Sequence, residues 1–215
     1  KSGCSILYIS HKLEEIIAKH IEARGGADTW ATVDNMKITG RFTAFSVEED
    51  WMAIKTNKGQ YYSDLYLGKH HVIEAFDGAH GWTIDPWQDI TYPRLLNAAE
   101  ENVFYQKAEL MTPFLHYKEK GIAVELLGKE DLDGVEVFAI KLIRPNGRDE
   151  IWYLDAKSYL EYKRISIWTD FAYPSEAETY FEDFREVEGL VIPFYEEKSF
   201  GQRHRVLWIG NIDLN

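Results

Sequence analysis

The chain has 215 residues, 24 Lys and Arg against 36 Asp and Glu for a formal net charge of −12, 45% hydrophobic residues, seven histidines and one cysteine. A chain of this length buries roughly 70% of its unfolded surface, is too apolar to be disordered, and has no uncharged run near the roughly 18 residues of a spanning helix. The acidic balance, with no Lys/Arg cluster against it, argues against nucleic acid as a partner, and a single cysteine closes no intramolecular disulfide.

Residues 1–9 read as a flexible tail without the apolar core of a signal peptide. Ser2-Gly3-Cys4 is similar to the end of a bacterial lipoprotein cleavage site, but Lys1 stands where an apolar residue is expected, so an ordinary tail is preferred over a lipid anchor at Cys4. From Ser10, the positions Leu13, Ile16, Ile17 and Ile21 recur at helical spacing, with Gly25-Gly26 as a stop. The period then changes. Met36, Ile38, Phe42 and Ala44 alternate with Lys37, Thr39, Arg41 and Thr43, the pattern of a strand wet on one face.

Further β-rich runs lie near 51–57, 61–67, 71–76, 81–85, 122–127, 135–143, 149–154, 161–168, 177–184, 190–198 and 204–212. Lys58-Gly59, Asp77-Gly78, Asp133-Gly134, Asn146-Gly147 and Glu188-Gly189 supply the positive φ of tight hairpin turns, so sequential strands are antiparallel neighbours. A second helix is predicted after Pro93 to about Met111, with Leu96, Ala99, Val103 and Leu110 along one side. Residues 10–215 therefore form a single, mainly β (α+β) domain.

Roughly ten strands spaced about 4.8 Å would make a flat sheet near 48 Å wide, so the sheet has to curl, split or close. Two helices, each about 10–12 Å across, would cover only half of that width. Large inward side chains or a hydrophobic ligand have to fill the remainder.

The segment Ile21-Glu22-Ala23-Arg24-Gly25-Gly26-Ala27-Asp28 with Trp30, followed by Met36-Lys37-Ile38-Thr39-Gly40, resembles the start of bacterial outer-membrane lipoprotein-sorting proteins of the LolA-like superfamily. Ala75-Phe76-Asp77-Gly78 with Gly81-Trp82 and Pro86-Trp87 is similar to that group's central hairpin, and Tyr117-Lys118-Glu119-Lys120-Gly121 with Val124-Glu125-Leu126 to its second strand group. Tyr153-Leu154-Asp155, Glu178-Thr179-Tyr180-Phe181, Asp183-Phe184-Arg185-Glu186-Val187, Gly189-Leu190 and Pro193-Phe194 resemble its C-terminal portion. The resemblance implies a single curved antiparallel half-barrel of about 10–12 strands with helices over its concave face. It also implies a periplasmic carrier, not an enzyme, that shields acyl chains of lipoproteins or lipids on the way to the outer membrane, with inner- and outer-membrane partner proteins. Two departures weigh for lipid over lipoprotein as cargo: the family's lid-fastening strand arginine has no identified counterpart, and the chain ends just past its last strand. No cofactor is implied, and a monomer is expected because the oily surface is kept inside.

Strand alternation nominates Ile38, Phe42, Met52, Ile54, Leu65, Val72, Phe76, Trp82, Ile84, Phe138, Ile140 and Trp152 as lipid-binding residues, with Leu96, Val103 and Leu110 from the helix. Each is more often plain core than ligand wall. His70 and His71 next to His80 suggest a metal, but adjacent strand residues point to opposite faces and no ligand motif is present, so no metal site is expected. No catalytic residues are nominated: the nucleophile elbow, the phosphate loop and the dinucleotide fingerprint are all missing. The alternative function is a carbohydrate-binding or carbohydrate-processing β protein, built on Trp82, Trp87 or Trp168 facing carboxylates such as Glu176, Glu178, Glu182 and Asp183.

Overall fold

A computed structural model of the chain describes residues 2–44, 47–145, 147–170 and 173–215, with the side chains of residues 2–10, 44 and 170 outside the description. The side chain of Cys4, the candidate lipid anchor, and Asn146 of one predicted turn therefore lie outside the described set.

The first apolar stripe forms α1, Ser2–Ala23, whose backbone is helical from Ser2 rather than Ser10. Leu13, Ile16 and Ile17 are its buried face. The predicted stop is a left-handed helix cap: Gly26 N–H bonds to the Ile21 carbonyl at 2.9 Å and Gly25 N–H to Glu22 at 3.0 Å. Gly25 has φ +107°, and a Cβ there would stand 2.3 Å from the Gly189 carbonyl oxygen, so only glycine allows this end of the helix to sit on a strand turn. One short turn of helix, α2 (Ala27–Trp30), follows and buries Trp30.

Among the described residues, thirteen strands form one antiparallel sheet. The first six are β1 (Asn35–Ala44), β2 (Val47–Thr56), β3 (Tyr61–Leu67), β4 (His70–Phe76), β5 (Gly81–Asp85) and β6 (Ile90–Leu95). The other seven are β7 (Ala123–Leu132), β8 (Val135–Ile143), β9 (Asp149–Asp155), β10 (Glu161–Asp170), β11 (Tyr173–Val187), β12 (Leu190–Phe200) and β13 (Arg203–Leu214). Their order is β6-β5-β4-β3-β2-β1-β13-β12-β11-β10-β9-β8-β7, two meanders joined where β1 pairs with β13. The sheet is curved and open, with β6 and β7 at its edges, as the half-barrel expectation requires. Two of the predicted turns place both residues at positive φ: Asp133 (54°) with Gly134 (86°), and Glu188 (49°) with Gly189 (85°). This is the geometry that matches strand twist in a two-residue hairpin.

The region after Ile90 departs from the sequence reading. Pro93 lies inside β6, an edge strand, where its missing N–H costs no ladder bond. The helix, α3, is confined to Ala98–Lys107. Asn97 accepts from the N–H groups of Ala99 and Glu100, both at 3.0 Å, and Glu100 accepts from the Asn97 N–H at 2.8 Å, a reciprocal cap that fixes the start.

Topology explains the lid. The chain leaves the sheet at the β6 edge and re-enters at the β7 edge, and the intervening residues pack on the concave face on the way. α1 packs over the half built from β7 to β11, where Phe114, Phe138, Ile140, Leu142, Trp152, Leu154 and Phe181 form a continuous core with its apolar stripe. Farther along the concave face, Val103, Phe104 and Ala108 pack against Tyr61 and Phe76 of the first meander and Trp168 of β10 and Phe200 of β12.

Candidate functional site: a hollow under the lid

Between the concave face and the lid lies a hollow of about 340 Å³, at the low end of the roughly 300–1,000 Å³ of small-molecule pockets. Of the residues nominated from sequence, Ile38, Phe42, Leu65, Val72, Leu96, Val103, Leu110 and Trp152 line it.

The other seven do not, for two different reasons. Phe76, Phe138 and Ile140 point inward but are packed solid, Phe76 against Phe104 and Tyr105, and Phe138 and Ile140 in the core under α1. Met52, Ile54, Trp82 and Ile84 are on the outer face. Cross-strand partners share a face, and the register sets Ile54 opposite Tyr62, Tyr62 opposite Ala75, Ala75 opposite Trp82 and Trp82 opposite Leu95, which is 73% exposed. Met52, Asp64, Ile73 and Ile84 form the neighbouring outer row. Assigning the more apolar parity to the inside shifts β2 and β5 by one residue, which turns every side chain over. The inward positions are Trp51, Ala53 and Lys55 on β2, and Thr83 and Asp85 on β5.

Polar groups missed by sequence reasoning therefore share the wall with hydrocarbon. Three ion pairs meet there. Lys107 binds Glu74 at 2.6 and 2.7 Å while Ser63 donates to the same carboxylate at 2.9 Å. Arg94 pairs with Glu100 at 2.7 and 3.0 Å, and Arg24 pairs with the buried Glu161. Burial alone would raise the Glu74 carboxyl, but the Lys107 ammonium holds it below the usual carboxylate range; burial outweighs that attraction at Lys107 and pushes it down. Lys55, Lys198 and Arg205 are also pushed down by burial, Lys198 furthest, with the Arg164 guanidinium adding repulsion.

The signal that could have disclosed part of this wall is the parity of β12. Leu190, Ile192, Phe194, Glu196, Lys198 and Phe200 alternate on one side, and the apolar run continues on both sides of the two charges.

At the C-terminal end of α1, His20 holds three elements together. Its Nδ1 lies 2.7 Å from the Tyr159 carbonyl oxygen and its Nε2 2.7 Å from Thr112 Oγ1. A carbonyl only accepts, so Nδ1 carries the proton, and burial lowers the ring's pKa so that it stays neutral with Nε2 accepting from Thr112. Arg24 Nε donates to the Val191 carbonyl at 2.6 Å, and Trp30 Nε1 to the Arg24 carbonyl at 3.0 Å.

The remaining candidates are dispersed. His71 bonds Asp64 at 2.8 Å, His80 bonds Glu101 at 3.0 Å, and His70 meets the edge of Trp87. Trp168 is in the hollow's wall, Trp82 on the outer face and Trp87 on the short helical turn Pro86–Gln88, so no single groove joins them. Glu176 and Glu182 are exposed and Glu178 half-buried, with Ala177, Thr179 and Phe181 buried between them, as the alternation predicts. Among the described residues, no helix is long and apolar enough to cross a membrane.

No protein-family model and no curated protein matches the sequence. Solved structures do match. A LolA superfamily protein of Nitrosomonas europaea superposes with a TM-score of 0.58 at 12% identity, covering 94% of this chain and 93% of that one. A DUF1329 family protein of Desulfovibrio piger gives 0.59 at 10% identity over 94% and 92%. A domain described as an outer membrane lipoprotein-sorting protein of Vibrio parahaemolyticus gives 0.59 at 11% identity over 94% and 91%. With the curved thirteen-strand open sheet and its lid, these agreements establish that the chain has a LolA-like fold.

Proposed function

We propose that the protein is a periplasmic carrier that holds an acyl chain of a lipid or lipoprotein in the hollow during transfer toward the outer membrane, without making or breaking a covalent bond. The observation that carries this reading is a partly open hollow of about 340 Å³ whose wall includes Ile38, Phe42, Leu65, Leu67, Val72 and Leu207. The LolA-like fold supports it, because the structures sharing that fold include one described as sorting outer membrane lipoproteins.

The energetics suit reversible carriage. Ten buried methylenes contribute about 8 kcal/mol gross, which is micromolar binding if none is lost to immobilisation. Release requires the lid to move, and cargo biases that motion only by binding its open and closed forms differently.

Uptake of a fluorescent fatty acid tests the reading. Leu65→Glu places a carboxylate in the hydrocarbon wall at a half-buried position, so the variant is expected to fold and lose uptake. Ile140→Glu is unsuited to the test, because Ile140 is fully buried in the packed core. Undiminished uptake by Leu65→Glu would remove the hollow as the binding site.

A further inference from the structure

A row of cations crosses the floor of the hollow, and an acyl chain alone makes no use of it. The register sets Trp152 opposite Arg164, Arg164 opposite Thr179, Thr179 opposite Lys198 and Lys198 opposite Arg205, one concave line over β9 to β13. Arg164, Lys198 and Arg205 all line the hollow. Like charges directly opposite one another are destabilising in a sheet, and this chain carries a net charge of −12, so carboxylates were available to separate them.

Two members of the row, Arg164 and Lys198, make no side-chain hydrogen bond or close ion pair with a described residue, although Glu150 acts on Arg164 and Glu196 on Lys198 through space. Arg164 is 7% exposed, and its Nε is buried without a hydrogen bond, as is Thr179 Oγ1 beside it. Its guanidinium rests on the rings of Trp152 and Phe181. The Lys198 ammonium is 3.3 Å from the centre of the Trp168 ring, and no hydrogen bond or ion pair joins it to a described residue.

Neighbouring carboxylates are mostly committed elsewhere. Glu150 is taken by Arg144 at 2.9 and 3.1 Å and by Trp152 Nε1 at 2.8 Å, Glu109 by Arg144 at 2.7 Å, Glu74 by Lys107, and Glu161 by Arg24 through one oxygen, its Oε2 being buried without a hydrogen bond. Glu196, one register position along and opposite Leu207, is left to face Lys55 and Lys198. Buried donors and cations without acceptors are costly, and a wall that keeps them next to empty space is arranged for an anion.

We propose that Arg164 and Lys198 receive the acidic headgroup, a carboxylate or a phosphate, of a single-chain amphiphile whose alkyl tail lies along Phe42, Leu65 and Leu207. This rests on the carrier reading and narrows its cargo to anionic amphiphiles held with the charged end inside. The oxyanion accepts charge-assisted hydrogen bonds from Arg164 and Lys198 and screens Lys198 from Arg205.

Calorimetric titration with laurate, dodecyl phosphate and methyl laurate separates the possibilities, since the tails are alike and only the headgroup changes. At least one of the two anions is expected to bind about tenfold or more tighter than the ester. Which anion it is separates a fatty-acid headgroup from a phospholipid-like one. Lys198→Met is expected to abolish the preference of anion over ester, read as the ratio of their affinities in the same variant, with near-ultraviolet circular dichroism as the folding control and Arg164→Gln as the second variant. Equal binding of ester and anions by the wild-type chain would overturn the headgroup site and leave the carrier reading standing. Binding of none of the three would overturn the carrier reading itself. A preference that survives both substitutions would place the anion away from this row.

Discussion

The two halves of the concave face are filled in opposite ways. Under α1, Phe114, Ile140, Leu142 and Leu154 are fully or almost fully buried and pack into a dry core. Between β1 to β4, β12 and β13, the same curved surface carries Lys55, Glu196, Lys198 and Arg205 among its aliphatic residues and encloses open volume. A sheet too wide for its covers has both solutions available, and this chain uses each in a different place. Where side chains fill the gap, inward positions are apolar along Phe138, Ile140 and Leu142, and the buried Glu150 opposite Leu142 is fully paired with Arg144; where they do not, inward positions alternate between hydrocarbon and charge.

The largest expected effect tests the buried ion pair that ties the end of α1 to β10 at the rim of the hollow. Glu161→Gln leaves the buried Arg24 guanidinium without its counter-charge, and removing one partner of such a pair costs about 3–5 kcal/mol in urea unfolding. A loss below about 1 kcal/mol would show that this pair behaves like a surface one. Next, Ile140→Ala is expected to cost about 2–5 kcal/mol, whereas Leu65→Ala, which only enlarges an existing space, costs less than about 1.5 kcal/mol. Equal costs would erase the distinction between packed and open halves.

A pH dependence follows from His20. Its pKa is lowered in the folded chain by burial, so below the unfolded value of about 6.5 the unfolded state binds the extra proton. Stability is therefore full above that pH and falls with a slope of up to about 1.4 kcal/mol per pH unit as pH drops below it toward the folded value. His20→Gln should flatten the denaturation midpoint between pH 6.5 and the onset of carboxylate titration, where Glu161, itself lowered by Arg24 against its burial, begins to lose its contribution. An unchanged slope would assign the acid sensitivity to other groups. The smallest effect is on the outer face, where Ile54→Thr is expected to change stability by less than about 0.5 kcal/mol and to leave fatty-acid uptake intact.

Legibility in the sequence follows the same division. The strands are readable because alternation and turn glycines agree along most of the chain, whereas β6 is hidden because Pro93 has the look of a helix start and in fact lies in an edge strand. Ile38, Phe42, Leu65 and Val72 were found by the rule that apolar parity faces inward. That rule failed at Met52, Ile54, Trp82 and Ile84, where both faces carry apolar residues and the inward one also carries Lys55 or Asp85. Local rules tend to break at functional sites, and here they break around the hollow. Volume, unlike parity, depends on how sheet and lid close on each other, so whether the gap was plugged or open could be read only from coordinates.

Native mass spectrometry of the purified protein, before and after organic extraction, tests the central claim most directly. The account predicts a lipid-sized mass excess that extraction removes and that an added single-chain amphiphile restores. A well-folded chain that is free of lipid from the start and takes up no alkyl chain when one is offered would contradict it.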